Sequence, residues 1–340
     1  MIHVGFIGTG SISAAHLNYL KKRDDVAIEA LCDINLEQVK KRQNEYGGKV
    51  FTDFTQMLDE TQLDAVWLCT PPTVRKEPLI ACAEKNIPVF CEKPVEHSLE
   101  TATEIATGLA RRKANVQIGY VFRSMPGTQQ LRKAVANDTI HLIQSFYCCN
   151  VSLAMSLPAW FYDKEKSGGP IVDQATHNLD LIRYLFGEIK EIYGMAHNAV
   201  REKGGDYTID EVIGLMFVFK NGMIGSHLHT WVGESWRNEF IISGERQLYR
   251  FNLNNGTLVV ERTPQNLDID SGSVLTEKKD RNLYFKQEPG NIYKYEDEQF
   301  LKQVITGDWS QNPSDYANGL KTLELTLACD KAVSNGKAQL

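Results

Sequence analysis

No stretch of this 340-residue sequence approaches the roughly 20 consecutive apolar residues that span a bilayer; its longest apolar run is Val212–Phe219. Positive charge is not in excess either. The 37 Lys and Arg stand against 43 Asp and Glu, a net charge of −6, which gives no electrostatic footprint for nucleic acid or an anionic membrane surface. A basic, cleavable leader is missing from Met1-Ile2-His3-Val4-Gly5-Phe6-Ile7-Gly8, which reads directly as a strand. The seven cysteines are odd in number and have no C-x-x-C pair. That spacing argues against a zinc or disulfide framework and is expected of reduced core thiols in a cytoplasmic protein. There is no internal repeat and no low-complexity tract.

What is there is an ordinary globular composition, 42% hydrophobic and 24% charged, with length enough for two domains. Strand-like runs at Ile2–Ile7, Ala27–Leu31, Ala65–Cys69, Val89–Cys91 and Val116–Gly119 alternate with amphipathic stretches near Ser13–Lys22, Leu36–Tyr46, Val74–Lys85 and Ser98–Lys113. This alternation predicts βαβ units and a doubly wound parallel sheet over residues 1–121. Beyond it the texture changes. A strong helix near Gln174–Leu185 precedes strands at Val212–Phe219, Ile224–Val232, Glu239–Ser243 and Thr257–Arg262. Turn signals at Asn221-Gly222 and Asn254-Asn255-Gly256 separate them. Residues 122–340 are therefore expected to form an α+β domain with a mainly antiparallel sheet. The tail Tyr295–Val333 is helical again, broken at Asn312-Pro313, and Pro264–Lys279 reads as a polar, exposed loop.

Gly8-Thr9-Gly10-Ser11-Ile12-Ser13 lies between the first strand and the first helix. Gly8 permits a tight turn, Gly10 lets backbone approach a pyrophosphate, and the Ser11 and Ile12 amides then point at its oxygens. The third glycine of the fingerprint is Ser13 here. Asp33 ends the second strand, where a carboxylate accepts from adenosine ribose hydroxyls and repels a 2′-phosphate, so NAD is expected over NADP. The plainer alternatives are a bare βα turn and, for Asp33, a helix cap ahead of Asn35 and Leu36. Asn35 and Lys40 are near enough to soften the preference.

Further on come Thr70-Pro71-Pro72 after one strand, Glu92-Lys93-Pro94 after the next, and Gly168-Gly169-Pro170-Ile171-Val172-Asp173-Gln174-Ala175-Thr176-His177. With the glycine turn, these motifs resemble in order and spacing the Gfo/Idh/MocA oxidoreductases, named for glucose–fructose oxidoreductase and inositol dehydrogenase. The resemblance implies a Rossmann domain and a second domain whose open sheet carries substrate and oligomer contacts, as a dimer or tetramer. It also implies a C-terminal helix, about residues 313–334, packing back toward the first domain. The implied reaction is hydride transfer between nicotinamide and a ring hydroxyl or keto group of a sugar, sugar derivative or cyclitol. Same-fold alternatives are a diol dehydrogenase or imine reductase; a nucleotide-sensing regulatory protein is the alternative without turnover. Two departures stand out, Arg75 where the family often has His, and Pro170.

By the same resemblance Gly8, Thr9, Gly10, Ser11, Ile12, Asp33, Thr70, Pro71, Pro72, Glu92 and Lys93 hold cofactor. Lys93 orients and polarises the substrate oxygen, Asp173 helps hold the site, and His177 takes or gives the proton. The residue types suit this. Lys93 follows a parallel strand at its carboxyl end, where ligands of open α/β sheets bind. His177 has a reference pKa of ~6.5, and Asp173 lies at i−4 from it on one helix. A solvated lysine and a capping carboxylate paired with a structural histidine are the alternatives; no third ligand supports a metal site. Asp180 either orients His177 or faces solvent. Arg123 reaches substrate or makes an interdomain ion pair. Trp160 and Tyr162 wall the sugar or pack in the core. His227, His229 and Trp231 share one strand face, lining either a pocket or an oligomer interface.

Overall fold

Two sheets organise the chain in the computed structural model, which describes residues 1–151, 159–262, 281–288 and 290–340. The first sheet contains β1 (Ile2–Ile7), β2 (Val26–Cys32), β3 (Lys49–Phe51), β4 (Ala65–Leu68), β5 (Val89–Cys91) and β6 (Val116–Ile118). All pairings are parallel, in the order β3-β2-β1-β4-β5-β6. The order reverses between β1 and β4, which opens a crevice at the carboxyl ends of the strands. Crossover helices are α1 (Ser11–Leu20), α2 (Leu36–Tyr46), α3 (Phe54–Glu60), α4 (Lys76–Glu84) and α5 (Leu99–Arg112). Every residue of β4, Ala65-Val66-Trp67-Leu68, is buried, as a sheet covered on both faces requires. The short β3 and α3 lie outside the expected elements, because three and seven residues are too few to display a period.

The first compact unit comprises residues 1–124 and 290–324, the second 125–289 and 325–340. The first unit breaks close to residue 121 and takes back residues 290–324 from the tail, and the reason is packing. The helix Tyr293–Thr306 contributes Phe300 and Leu301 to the core formed by Val4, Phe6, Leu17, Leu31, Trp67 and Phe90. Trp67 stacks on Phe6 at 5.7 Å and meets the Phe300 ring edge-on at 5.0 Å; burying each such side chain stabilises by about 1.5–3 kcal/mol.

The second unit is built on β7 (Ile140–Cys148), β8 (Ile189–His197), β9 (Val212–Phe219), β10 (Ile224–Thr230), β11 (Arg237–Gly244), β12 (Gln247–Asn252), β13 (Thr257–Arg262), β14 (Arg281–Phe285) and β15 (Lys337–Gln339). Their order is β14-β13-β12-β11-β7-β10-β9-β8-β15. The pairings are antiparallel except that of β7 with β10. Asn221-Gly222 turns the β9–β10 hairpin, with Gly222 at φ +87°. The sequence pattern missed β7, β8, β12, β14 and β15. In β7 the inward positions are Ile143, Ser145 and Tyr147, and a polar residue among them blurs the alternation. Pro264–Lys279 lies outside the described residues.

Candidate active site

At the end of β1, Gly8 turns the chain with φ +88°. A Cβ there would sit 2.7 Å from the carbonyl carbon of Cys69 and 2.8 Å from the amide of Thr70, so glycine is what lets the β1 and β4 ends approach. At Gly10 a Cβ would meet nothing within 4 Å. Asn35, Asp53 and Ser98 cap α2, α3 and α5 with side-chain oxygens, but α1 opens at Gly10 without a side-chain cap. Open space beside uncapped first-turn amides fits a pyrophosphate. Ser13 is fully buried and donates its hydroxyl to the Gly10 carbonyl at 2.7 Å, which is how serine fills the third glycine position.

Asp33 follows β2, and its Oδ2 accepts from the Thr9 N–H at 2.7 Å, the Thr9 hydroxyl at 2.9 Å and the Gln38 amide at 3.1 Å. Its Oδ1 accepts from the Asn35 N–H at 2.9 Å. Asn35 itself caps α2, accepting from Glu37 and Gln38, so Asp33 is not the cap. Arg42, which the sequence reading did not single out, donates to the Thr9 and Gly10 carbonyls at 3.3 and 3.4 Å.

Thr70-Pro71-Pro72 follows β4, and Glu92-Lys93-Pro94 follows β5. Beneath the second of these turns lies a buried charge cluster that no local motif announced. Glu92 Oε2 accepts the Lys93 N–H at 3.1 Å, and Oε1 lies 3.0 Å from His16 Nε2. His16 Nδ1 is 2.8 Å from Asp297 Oδ1, which also accepts from the Trp67 indole at 2.9 Å. Burial works against charge on His16, yet Asp297 and Glu92 outweigh it and hold its pKa well above the usual value. Glu92 is penalised by burial too, but His16 and the nearby cations pull its pKa down. Glu296 moves the other way: burial and the neighbouring Glu92 push its pKa well up, against the opposing pull of His16. His16, Glu92 and Glu296 bring ligand-type atoms within 4.8 Å of one another. Both His16 nitrogens are engaged by carboxylates, Nε2 by Glu92 and Nδ1 by Asp297, which leaves the ring itself no free lone pair for a metal.

Arg123 is 1% exposed and donates to the Pro313 carbonyl at 2.6 Å and the Asn318 side chain at 3.1 Å. These bonds tie residues 313–318 to the segment after β6.

In the second unit, Asp173 lies within a π-helical turn, Ile171–Ala175, and His177 in the α-helix Thr176–Phe186 that follows. The single α-helix of the sequence reading is therefore preceded by a wide turn, a feature that recurs at functional sites. Both side chains are half-buried. Neighbouring residues anchor the segment. Gln174 Oε1 accepts from the Trp231 indole and from Cys149 Sγ. Asn178 donates to Ser145 Oγ at 3.0 Å and Asn238 Oδ1 at 2.8 Å, and accepts from Asn238 at 3.0 Å. Asp180 is buried, which removes the solvent-facing reading.

Trp160 is 51% exposed, whereas Phe161 stacks on Trp231 at 4.8 Å and Tyr162 on Tyr207 at 5.6 Å. His227, His229 and Trp231 do face one side, but that side is the covered one, with all three buried, so they do not form an exposed interface. His227 Nδ1 is 3.0 Å from Ser145 Oγ. Burial pushes His227 down to about 3 and, with His227 beside it, His229 well below its usual value.

Comparison with known proteins agrees with this geometry. The oxidoreductase family with an NAD-binding Rossmann fold, GFO/IDH/MocA, matches residues 2–120, and the C-terminal domain of the same family matches residues 128–250. An uncharacterised oxidoreductase of Bacillus subtilis, YrbE, is 22% identical over 98% of this chain and 95% of its own. The myo-inositol 2-dehydrogenase of Thermotoga maritima is 28% identical over 66% of this chain and 67% of its own. Among solved structures, a levoglucosan dehydrogenase in complex with NADH superposes with a TM-score of 0.84 at 20% identity, covering 99% of this chain and 98% of that one. A glycine turn at the β1 end, an acid at the β2 end and Glu-Lys-Pro at the β5 end, with both domain matches in order, make the chain a member of the Gfo/Idh/MocA oxidoreductase family.

Proposed function

We propose that this protein is an NAD-dependent dehydrogenase acting on a ring hydroxyl of a sugar, sugar derivative or cyclitol. One observation carries the reading. Asp33, the Gly8–Gly10 turn, Thr70 and Lys93 stand at the carboxyl ends of β2, β1, β4 and β5, four neighbouring strands. Three interstrand spacings cover roughly 14 Å, the scale of an extended dinucleotide. Adenosine ribose at Asp33, pyrophosphate at the turn and nicotinamide toward Lys93 follow that order. The inositol and levoglucosan dehydrogenases among the relatives support a cyclic polyol as substrate.

Bound nicotinamide supplies the hydride acceptor. The protein's part is the proton and the orientation. Lys93 orients and polarises the reacting oxygen, His177 takes the hydroxyl proton in oxidation and returns it in reduction, and Asp173 holds the site. The first unit is assigned to dinucleotide and the second to substrate and assembly.

Assembly is assigned to the uncovered face of the nine-stranded sheet, where Leu142, Tyr193, Met195, Met216, Ile224 and Leu228 are all exposed. Such a patch favours a closed homo-oligomer; light scattering at micromolar concentration giving only the monomer mass would refute it. The seven buried, unpaired thiols favour a reducing, cytoplasmic setting. No described helix is long and apolar enough to cross a membrane.

The test is a screen of monosaccharides, inositols and anhydrosugars with NAD and NADP, followed by absorbance of the reduced cofactor. Turnover of a cyclic polyol with NAD supports the reading, and binding of NADH without turnover of any of them sinks it.

A further inference from the structure

Arg75 is 2% exposed and stands at the start of α4, beside the two turns that leave β4 and β5. Its Nε donates to the Thr70 carbonyl at 3.0 Å, and its Nη2 donates to the same oxygen at 2.6 Å and to the Lys93 carbonyl at 3.4 Å. Its Nη1 donates to the carbonyls of Glu92 and Pro94. One guanidinium thus gathers four main-chain oxygens, one from the first turn and three consecutive ones from the second. A planar fork with five fixed N–H groups matches that arrangement; an ammonium radiating three donors from one point does not. From the other side Glu92 Oε2 accepts the Lys93 N–H. The main chain of Lys93 is therefore held at both its N–H and its C=O by buried charged side chains.

We propose that Arg75 is a positioning residue for the reaction: by binding the carbonyls of Thr70 and of Glu92-Lys93-Pro94 it sets where Lys93 leaves the sheet. The inference rests on the reading of Lys93 as the residue that orients substrate. A carbonyl trio of this kind has no other buried cation described on it, so loss of the fork frees the turn locally while the hydrophobic core of the unit stays intact. A displacement on the order of 1 Å at a reacting group costs about 10²-fold in rate.

Arg75→Lys, Lys93→Ala and the double variant test it. Hydrogen exchange of the cofactor-free proteins, read by mass spectrometry, should be several-fold faster in Arg75→Lys over residues 69–75 and 89–97 and unchanged over β2. With the polyol turned over in the screen above, Arg75→Lys should lower kcat by about 10²-fold with little change in NADH affinity. In the Lys93→Ala background it should add almost nothing, since a residue acting through Lys93 has nothing left to position. Uniform exchange, unchanged kcat or additive losses would each overturn the proposal, and so would a loss in Arg75→Lys while Lys93→Ala keeps turnover. Only this last result, or full turnover in Lys93→Ala, also refutes the reading of Lys93. Arg75→His is carried through the same measurements, and failure of both variants to fold would make Arg75 a folding residue and end the positioning role.

Discussion

The Oδ2 atom of Asp33 accepts both the main-chain N–H and the hydroxyl of Thr9, at 2.7 and 2.9 Å. The residue assigned to the ribose is thereby locked to the turn assigned to the pyrophosphate, 24 positions earlier in the chain. Asp33→Ser should weaken NADH binding by roughly 10–100-fold, the worth of hydrogen bonds to a charged group, and narrow the gap to NADPH. Fluorescence titration with both cofactors decides it; equal or tighter NADPH binding by the parent protein would overturn the NAD assignment.

Replacing Lys93 or His177 by Ala should cut turnover by roughly 10²–10⁴, the usual contribution of a general acid–base group. NADH affinity should barely move, because these side chains matter when the hydroxyl proton moves. Asp173→Asn should lower turnover by misplacing the site. Turnover, NADH affinity and Tm for each variant separate this from a structural histidine, whose loss would cost stability as well.

Stability should peak near pH 6.5, with limbs set by different histidines. His227 and His229 stay neutral in the folded chain and become charged in the unfolded chain below about pH 6.5. Unfolding then takes up protons, so stability falls as pH falls below 6.5. His16 and Glu296 have folded-state pKa values held well above their usual ones, whereas in the unfolded chain they lose their protons above about 6.5 and 4.3. Unfolding then releases protons, so stability falls as pH rises. Each proton changes it by about 1.4 kcal/mol per pH unit. Denaturant midpoints from pH 5.5 to 8 measure both limbs, and Glu296→Gln should make the fall with rising pH shallower. An unchanged slope would show that Glu296 is ionised in the folded protein.

The Asn178–Asn238 amide pair pins the His177 helix to the sheet. Asn178→Ala strands a buried amide and should destabilise by about 1–3 kcal/mol. Adding Asn238→Ala should cost little more, because both partners are then gone. Thermal unfolding of the two single variants and the double variant measures the coupling.

Much of the frame was legible. The bounds of β1, α2, β5, β9 and β13 coincide with runs visible in the sequence, Ile2–Ile7, Leu36–Tyr46, Val89–Cys91, Val212–Phe219 and Thr257–Arg262. Those strands are apolar runs with sharp polar or glycine edges. β8, with Lys190, Glu191 and Gly194 among its nine residues, has one face open to solvent and no strict alternation to betray it.

The sequence by itself determined the glycine turn, its spacing to Asp33 and the motifs around Lys93, Asp173 and His177, because each is a local requirement of backbone geometry at a strand or helix end. The tertiary structure alone decided what surrounds them. His16 meets Glu92 across 76 positions and Asp297 across 281, and Arg75 reaches carbonyls 17 to 19 residues away. Such contacts follow from which strand lies beside which in the sheet and from the chain's return as the helix Tyr293–Thr306. A single buried histidine or arginine carries no periodicity, so its partners become visible only when the sheet is assembled and every buried charge must find an opposite one.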